Sequence, residues 1–336
     1  MSETMATPII PDLTVDLAPM NPRELVLRNP VIPASGCFGY GLEYGNFVDV
    51  ERLGAFVSKG ITPHARSGNA MPRLAETPAG MLNAIGLQNP GLRAFMKKYP
   101  PIWERWDVPA IVNVSAESVE DFAMMARQLD EQPGIAALEI NISCPNVAAG
   151  GYCFGWDPQM SADVTRAVRE ATTLPIIIKL SPGAVDIISI AQAVEEAGAD
   201  AVSLINTLVG MKIDTVRQRP LLANLTGGLS GPAVKPVAVR MVYQVAAAVR
   251  IPVIGIGGIS GLNDALEFFM AGASAVEIGT AIFNDPTMLV RLIDDLSDWL
   301  SQRGIARLTD IVGVAHPDFQ PRQAAADELL AEMGEA

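Results

Sequence analysis

The chain is poor in the residues that form disulfide frameworks and metal sites. Its 336 residues include three cysteines and two histidines. Cys37, Cys144 and Cys153 form no CxxC pair, and their odd number leaves one thiol outside any disulfide scheme. Neither His64 nor His316 has a cysteine or an acid at metal-ligand spacing. We therefore expect a protein of a reducing compartment, by default the cytoplasm, with no metal site.

Long apolar runs and positive charge are also scarce. No apolar run is long enough to cross a bilayer, although the mean hydropathy is +0.27, and the stretch through Pro22 resembles neither a secretory signal nor a transit peptide. With 24 basic and 37 acidic residues, the net charge of −13 repels nucleic acid and anionic membranes on average. A small anionic ligand remains compatible with a few local lysines and backbone amides. No GxGxxG motif opens an early βαβ unit, which argues against a bound nicotinamide dinucleotide.

Short β-rich runs alternate with helical patterns through most of the chain, which is typical of parallel βα units. We predict eight strands, at 30–35, 55–59, 110–114, 138–143, 176–180, 201–206, 253–257 and 275–279. Helical stretches include 118–131, 161–172, 186–197, 234–249 and 262–271, and Gly198 and Gly272 are natural helix C-caps. No linker or shift in composition divides the chain. The sequence predicts an α/β fold, a single (β/α)8 TIM barrel with terminal additions.

Two connections, at 60–108 and 207–231, are too long to be simple turns and are rich in Gly, Pro and Asn. Long loops on a compact scaffold are often lids or ligand-binding loops. Parallel strands place their C-terminal ends at one mouth, and almost every predicted strand ends in a polar residue or a glycine. We therefore expect the functional groups to converge on that mouth.

The segment 138–146, LEINISCPN, delivers a thiol and two amides from the end of an apolar strand. Leu138, Ile140 and Ile142 alternate with polar residues, and we expect Pro145 to end the strand pairing because it lacks a backbone donor. A lone cysteine is more often inert than catalytic. Here the expected neighbours are amides and a lysine, and positive charge eases thiolate formation, so Cys144 is the candidate base or nucleophile. Cys37 and Cys153 lack that context and are interpreted as structural.

The last two strands end in glycine motifs, IGGI at 256–259 and IGT at 278–280. Backbone N–H groups in this position bind phosphate in many barrels. Each motif alone is equally compatible with a tight βα turn. The two together favour a phosphorylated cofactor.

Two lysines occupy strand ends. Lys179 lies in the apolar run IIIKL, where an unpaired ammonium is costly to bury, so it must have an anionic or strongly polar partner. A structural ion pair is one explanation, and stabilisation of an anionic reduced cofactor is the other. Lys59 also ends a strand, so the site carries two positive charges for a carboxylate, a phosphate or a flavin anion.

Four motifs carry a family resemblance: NISCPN at 141–146, TPAGMLNAIGLQNPG at 77–91, INT at 205–207 and GGLSGPAVKP at 227–236. They resemble the class 1B dihydroorotate dehydrogenases, in their NAD-linked catalytic subunit. The similarity runs from about Leu25 to about Gly304, which divides the chain into an N-terminal extension (1–24), an FMN-binding barrel (25–304) and a C-terminal tail (305–336), with a short helix expected at 323–333. Class 2 enzymes have serine at the position of Cys144 and an N-terminal membrane segment, and class 1A enzymes have a different substrate loop.

The resemblance implies FMN across the barrel mouth and dihydroorotate above it. Cys144 would take a proton from C5 while a hydride leaves C6 for flavin N5, and Lys179 would face the N1–O2 edge of the flavin. The residues implied for substrate are Lys59, Asn83, Ala84, Ile85, Gly86, Leu87, Asn141, Asn206 and Thr207. Those implied for FMN are Ser35, Lys59, Gly60, Asn113, Asn141, Lys179, Ile205, Gly231, Gly257, Gly258, Gly279 and Thr280.

Electrons must then leave the reduced FMN, and the sequence has neither a cysteine cluster for iron–sulfur nor a second nucleotide fold. The resemblance implies a partner subunit with FAD and a [2Fe–2S] cluster that reduces NAD+, with two copies of each chain in a heterotetramer. The product would be orotate for pyrimidine (UMP) biosynthesis. Three alternatives stay open: a class 1A-type enzyme that uses fumarate, an FMN barrel acting on another cyclic substrate, and a non-catalytic assembly or ligand-binding barrel.

Overall fold

The computed structural model describes residues 9–143, 145–146 and 152–318 of the chain. Cys144 and the helix expected at 323–333 lie outside the described residues.

Eight parallel strands form one sheet that curves into a barrel. They are β1 (Val31–Pro33), β2 (Phe56–Val57), β3 (Ala110–Val114), β4 (Ala137–Asn141), β5 (Ile176–Lys179), β6 (Ala201–Leu204), β7 (Val253–Ile256) and β8 (Ala275–Ile278). From β2 to β8 each strand pairs with its neighbour in sequence, and β8 pairs with β1. Between β1 and β2, the Gly54 amide donates to the Val31 carbonyl oxygen at 3.1 Å. The predicted (β/α)8 barrel is confirmed.

The eight predicted strands are all present, and most are shorter than the prediction. In β3 all five residues are buried, as expected for a strand covered on both faces. One expectation about β4 is wrong, because the strand ends at Asn141 and not at Pro145. The Asn141 side-chain oxygen accepts from the Ser143 amide at 3.2 Å, so the backbone turns before the proline is reached. Pro145–Asn146 instead pairs antiparallel with Tyr152–Cys153.

Helices surround the barrel, and α3 to α8 pack side by side in sequence order. They are α1 (Leu92–Lys98), α2 (Pro100–Trp103), α3 (Val119–Asp130), α4 (Pro158–Ala171), α5 (Ile187–Glu196), α6 (Lys235–Ala246), α7 (Leu262–Met270) and α8 (Met288–Gln302). Ser118, Asp157 and Asp186 cap the starts of α3, α4 and α5 with side-chain acceptors. Gly198 and Gly272 follow α5 and α7 with φ of 99° and 107°, the left-handed conformation predicted for them.

The two long connections are not independent loops. Leu74–Thr77 and Gly80–Asn83 from the first connection join Leu208–Gly210 and Gly227–Ser230 from the second in a four-stranded antiparallel sheet. The central pairing places Asn83 opposite Gly228 and Met81 opposite Ser230. Segments separated by about 145 residues of sequence therefore form one unit, which we call the mouth sheet.

The described parts of the two terminal additions contact each other. The Asp12 amide donates to the Ala306 carbonyl oxygen at 2.8 Å, and the Leu308 amide donates to the Asp12 carbonyl oxygen at 2.9 Å. Val15–Asp16 and Val26–Leu27 form a short antiparallel pair. Among the described residues no helix is both long and apolar enough to span a bilayer.

Candidate active site

The C-terminal ends of the strands meet the mouth sheet, as the barrel geometry requires. After β8, the Thr280 hydroxyl bonds the Ser230 hydroxyl of the mouth sheet at 2.7 Å. After β1, the Ser35 hydroxyl donates to the Ser58 carbonyl oxygen, which follows β2, at 2.8 Å. Leu87 lies close to Gly60. A Cβ added to Gly60 would be 3.6 Å from Leu87 Cδ2.

Three of the glycines predicted to bind phosphate, Gly231, Gly257 and Gly258, form a crowded group at the end of β7, whereas a Cβ on Gly279 after β8 would make only ordinary contacts. Gly257 and Gly258 have φ of 129° and 77°, and Gly231 has φ of 93°. A Cβ on Gly258 would lie 2.9 Å from the Gly231 carbonyl oxygen, and one on Gly231 would lie 2.6 Å from Gly80 Cα. Only backbone fits here, which is the arrangement that leaves N–H groups close to an anion.

Amides from two non-adjacent strands meet beside β5. The Asn206 side chain, after β6, donates to Asn141 Oδ1 at 3.3 Å and to Ser143 Oγ at 3.0 Å. Its own oxygen accepts from the Thr207 amide at 2.8 Å. These bonds confirm that Asn141 and Asn206 are neighbours. Cys144 follows Ser143 in the chain and lies outside the described residues, so its nearness to the two amides stays a prediction.

The predicted substrate loop is anchored at both ends. Asn83 donates from Nδ2 to the Gly228 carbonyl oxygen at 3.4 Å, and the Ala84 amide donates to the Arg73 carbonyl oxygen at 2.8 Å. Gly86 and Leu87 both have positive φ, 73° and 53°. Ala84 is buried and Ile85 is half-buried, whereas Gly86 is exposed.

Buried Asn89 holds the far end of the same loop. Its Oδ1 accepts from the amides of Thr62 at 3.2 Å and Gly91 at 2.8 Å. Its Nδ2 donates to Thr62 Oγ1 and to the Leu87 carbonyl oxygen, both at 2.7 Å. One side chain thus ties the loop to the segment that follows Gly60.

Lys59 is half-buried at the mouth, and its ammonium makes no hydrogen bond or ion pair with a described residue. Burial lowers the pKa of Lys59, and the Arg73 guanidinium lowers it further, against weaker opposing effects of Cys37 and Glu43. An ammonium that burial and a nearby cation destabilise gains from an anionic ligand.

Lys179 has the partners that the sequence required. Its Nζ lies 3.3 Å from Glu139 Oε1 and 3.3 Å from Glu277 Oε2, with all three side chains buried. Burial opposes the charge, but the two carboxyls outweigh it and raise the pKa of Lys179 above its ordinary value. The structural ion pair that the sequence suggested is therefore present. A role of Lys179 in stabilising an anionic reduced cofactor stays a proposal.

Cys37 was expected to lack charged neighbours, and that expectation is wrong, while its interpretation as structural stays a prediction. A side chain on Gly279 would come within 3.4 Å of its sulfur, and Lys59, Lys179 and Glu277 all act on it. Burial raises the pKa of Cys37 to about 11, against the two lysines, so it is a neutral thiol at physiological pH. Cys153 donates to the Ile142 carbonyl oxygen at 3.3 Å and is buried.

Sequence reasoning missed Glu139, Glu277 and Cys37. The signal for the two acids was present, because each lies in an apolar strand as Lys179 does. Ile205 is buried directly after β6, and Asn113 is buried in β3, where Nδ2 donates to Glu139 Oε2 at 2.5 Å. No feature of the sequence pointed to Cys37, because the end of β1 lies beside β8 only in the folded barrel.

A groove of about 600 Å3 lies at the opposite end of the barrel. Its lining includes Trp103, Trp106, Arg28 and Asp107. Arg28 and Asp107 form an ion pair with each other at 2.9 Å, so we place the candidate active site at the mouth and not in this groove. Among the described residues, no three His, Cys, Asp or Glu side chains are placed to hold a metal ion.

Comparisons with known proteins agree with this geometry. A dihydroorotate dehydrogenase family model matches residues 20–300. The catalytic subunit of dihydroorotate dehydrogenase B (NAD(+)) from Pelobacter propionicus is 54% identical over 303 residues, which is 90% of this chain and 98% of that protein. The protein of the same name from Geobacillus kaustophilus is 52% identical over 289 residues, 86% of this chain and 92% of that one.

A crystal structure of DHODH from Eimeria tenella in complex with ferulenol has a TM-score of 0.76 and covers 94% of this chain and 92% of its own. At 21% identity, that likeness shows a shared fold. With a family model and half-identical relatives that span the barrel, the chain belongs to the dihydroorotate dehydrogenase family.

Proposed function

We propose that the chain is the catalytic subunit of an NAD-linked dihydroorotate dehydrogenase, which oxidises (S)-dihydroorotate to orotate in pyrimidine (UMP) biosynthesis. The names of the relatives, dihydroorotate dehydrogenase B (NAD(+)) catalytic subunit, support this class. The observation that carries the proposal is the ammonium of Lys59 at the mouth, which pairs with no described residue and lies on the same face as the amides of Asn141 and Asn206. A cation beside several amides matches a substrate that combines a carboxylate with a cyclic imide.

For the substrate, we assign Lys59 to the carboxylate and the amide side chains to the ring. Asn141 and Asn206 are joined by a hydrogen bond, and Asn83 is fixed on the mouth sheet. Since each amide offers both a donor and an acceptor, a set of them can pair with the alternating N–H and C=O groups of a pyrimidinedione. Thr207 and the loop from Ala84 to Leu87 complete the proposed enclosure.

For the cofactor, we propose FMN. The fit rests on Gly231, Gly257 and Gly258 at the end of β7, where only backbone is tolerated, and on two lysines at strand ends, Lys59 and Lys179. Gly231, Gly257, Gly258, Gly279 and Thr280 would hold the phosphate, while Ser35, Lys59, Gly60, Asn113, Asn141, Lys179 and Ile205 would contact the rest of the molecule. FMN, when bound, supplies an acceptor at N5 for the hydride from C6 of dihydroorotate.

Cys144 is the proposed base, which removes the proton from C5. The support is its place in the chain, directly after Ser143, whose hydroxyl accepts from Asn206. A proton transfer from carbon is slow unless a base is positioned while the hydride departs. The neutral thiol of Cys37 makes it the weaker candidate, because burial raises its pKa to about 11.

For the electron acceptor, we propose a partner subunit with FAD and a [2Fe–2S] cluster, in a heterotetramer of two copies of each chain. The words "catalytic subunit" in the names of the relatives support a partner. The class 1A alternative remains open only in the electron acceptor, fumarate, and the names of the relatives favour NAD+. Cytoplasmic residence and the division into residues 1–24, 25–304 and 305–336 stay predictions of the sequence.

The test mixes the flavin-loaded chain anaerobically with increasing concentrations of dihydroorotate and measures the rate at which the flavin absorbance is lost. Charge-assisted hydrogen bonds contribute about 1.5–3 kcal/mol. Lys59→Met should therefore raise the dihydroorotate concentration that gives the half-maximal rate of flavin reduction about 10- to 100-fold. Lys97→Met, at an exposed position of α1, is the matched control and should behave as wild type. The assignment is contradicted if Lys59→Met shows the same dependence on dihydroorotate concentration as the wild type, or if the flavin of the loaded chain is never reduced.

A further inference from the structure

Five polar side chains from the barrel strands meet in the interior below the mouth, and we call them the core polar cluster. They are Asn113, Glu139, Lys179, Ser203 and Glu277, from β3, β4, β5, β6 and β8. Glu139 and Glu277 are 0% and 1% exposed. Buried charges on this scale require close partners, so the hydrogen bonds of each acid indicate its state.

Glu139 is surrounded by hydrogen-bond donors. Oε1 accepts from Ser203 Oγ at 2.9 Å and lies 3.3 Å from Lys179 Nζ. Oε2 accepts from Asn113 Nδ2 at 2.5 Å. Three donors from three strands therefore surround one acid, and both of its oxygens are hydrogen-bonded.

Glu277 has a different environment. Its Oε2 lies 3.3 Å from Lys179 Nζ, while its Oε1, fully buried, has no hydrogen-bond partner among the described residues. The carboxyl of Glu277 also hydrogen-bonds that of Glu139, which requires one of the two acids to keep a proton, and the acid with the unpaired buried oxygen is the less able to hold a charge.

The charge balance of the cluster leads to the same state for Glu277. Two carboxylates and one ammonium would leave a net negative charge in the barrel interior, and one retained proton makes the cluster neutral. Burial and the neighbouring Glu139 raise the pKa of Glu277 well above its ordinary value, against the effect of Lys179. From the end of β1, Cys37 interacts with Glu277, and it is neutral because burial raises its pKa; Lys59 acts on the same thiol.

We propose that Glu277 is kept as the un-ionised acid at neutral pH and is a positioning residue for Lys179. It accepts a hydrogen bond from the ammonium without cancelling its charge, so Lys179 is neutralised by Glu139 alone. This inference rests on the proposed function, because the retained proton affects catalysis only through a reduced flavin bound nearby. An ionised Glu277 would add negative charge below that cofactor.

The retained proton itself is tested in the full chain freed of flavin, by infrared spectroscopy at neutral pH. The wild type should show the carbonyl stretch of an un-ionised carboxylic acid, and Glu277→Gln should lose it. Gln presents the same acceptor and donor pattern as the neutral acid, which favours folding. Glu131→Gln, at an exposed position, is the matched control and should keep the band. Absence of the band in the wild type overturns the inference whether or not the chain binds FMN.

The role toward the cofactor is tested by the midpoint potential of the flavin-loaded chain at neutral pH. Glu277→Gln replaces one neutral group by another, so the potential should stay at the wild-type value. A more positive potential in this variant would mean that a real negative charge had been removed, which overturns the inference. Lys179→Gln is the reference and should make the potential more negative. An unchanged potential in Lys179→Gln contradicts the proposed position of the flavin, while the infrared band still decides the state of Glu277.

Discussion

Among single residues, two thiols are candidates for the base, and their surroundings separate them. Cys37 is enclosed at the end of β1, where burial raises its pKa to about 11. At neutral pH such a thiol is almost entirely protonated and is a poor base. Cys144 follows the amide-rich turn after β4, so the proposal gives it the proton transfer.

We expect Cys144→Ala to retain FMN but to lose about 10²- to 10⁴-fold in the rate of flavin reduction by dihydroorotate, the range typical of a general base. Stopped-flow absorbance under anaerobic conditions measures this rate. Cys37→Ala is the matched thiol control and should keep a rate close to that of wild type. The assignment fails if the two variants exchange these behaviours, or if Cys144→Ala is reduced at the wild-type rate.

Single residues also show what sequence reasoning can and cannot supply. Lys179 was recognisable as needing a partner, because an ammonium in the run IIIKL has no other way to be buried. Its partners were not assigned, since Glu139 and Glu277 lie on strands about 140 residues apart and become neighbours only when the barrel closes.

Among the structural elements, the mouth sheet explains how two long connections serve one site. Strands at 80–83 and 227–230 pair with each other, and Ser230 bonds Thr280 at the end of β8. The sequence predicted ligand-binding loops at these places, and could not predict the pairing, because antiparallel partners far apart in sequence leave no periodic signal. The short helices α1 and α2 were missed within the first connection, where prolines at 100 and 101 interrupt the helical pattern.

Asn89 is the residue on which the substrate loop depends. Asn89→Ala would remove four hydrogen bonds and leave the buried amides of Thr62 and Gly91 without acceptors, at a cost of about 1–3 kcal/mol for each unpaired group. We expect the KM for dihydroorotate to rise on the order of tenfold while the FMN content is unchanged.

Steady-state kinetics with an artificial electron acceptor measures the KM, and the absorbance ratio of flavin to protein measures the FMN content. Asn224→Ala, at an exposed turn, is the control and should leave both unchanged. Equal KM values for Asn89→Ala and the wild type would show that the loop is held by other contacts.

For the molecule as a whole, the barrel was predictable because β-rich runs and helical patterns alternate with regular spacing, and that alternation permits few topologies. All eight strands lie where the pattern placed them, within a few residues at their ends. The end of β4 differs because a side chain, Asn141, competes for the backbone. The fold alone does not specify the reaction, which depends on the groups at the mouth.

The amount of orotate formed in a single turnover tests whether this barrel mouth oxidises dihydroorotate. The flavin-loaded chain, without any partner subunit or electron acceptor, is mixed anaerobically with excess (S)-dihydroorotate, and the orotate is quantified against the bound flavin. We expect one orotate for each flavin, because one hydride reduces one flavin and nothing reoxidises it. A fully loaded chain that forms no orotate would contradict the proposal that dihydroorotate is oxidised here.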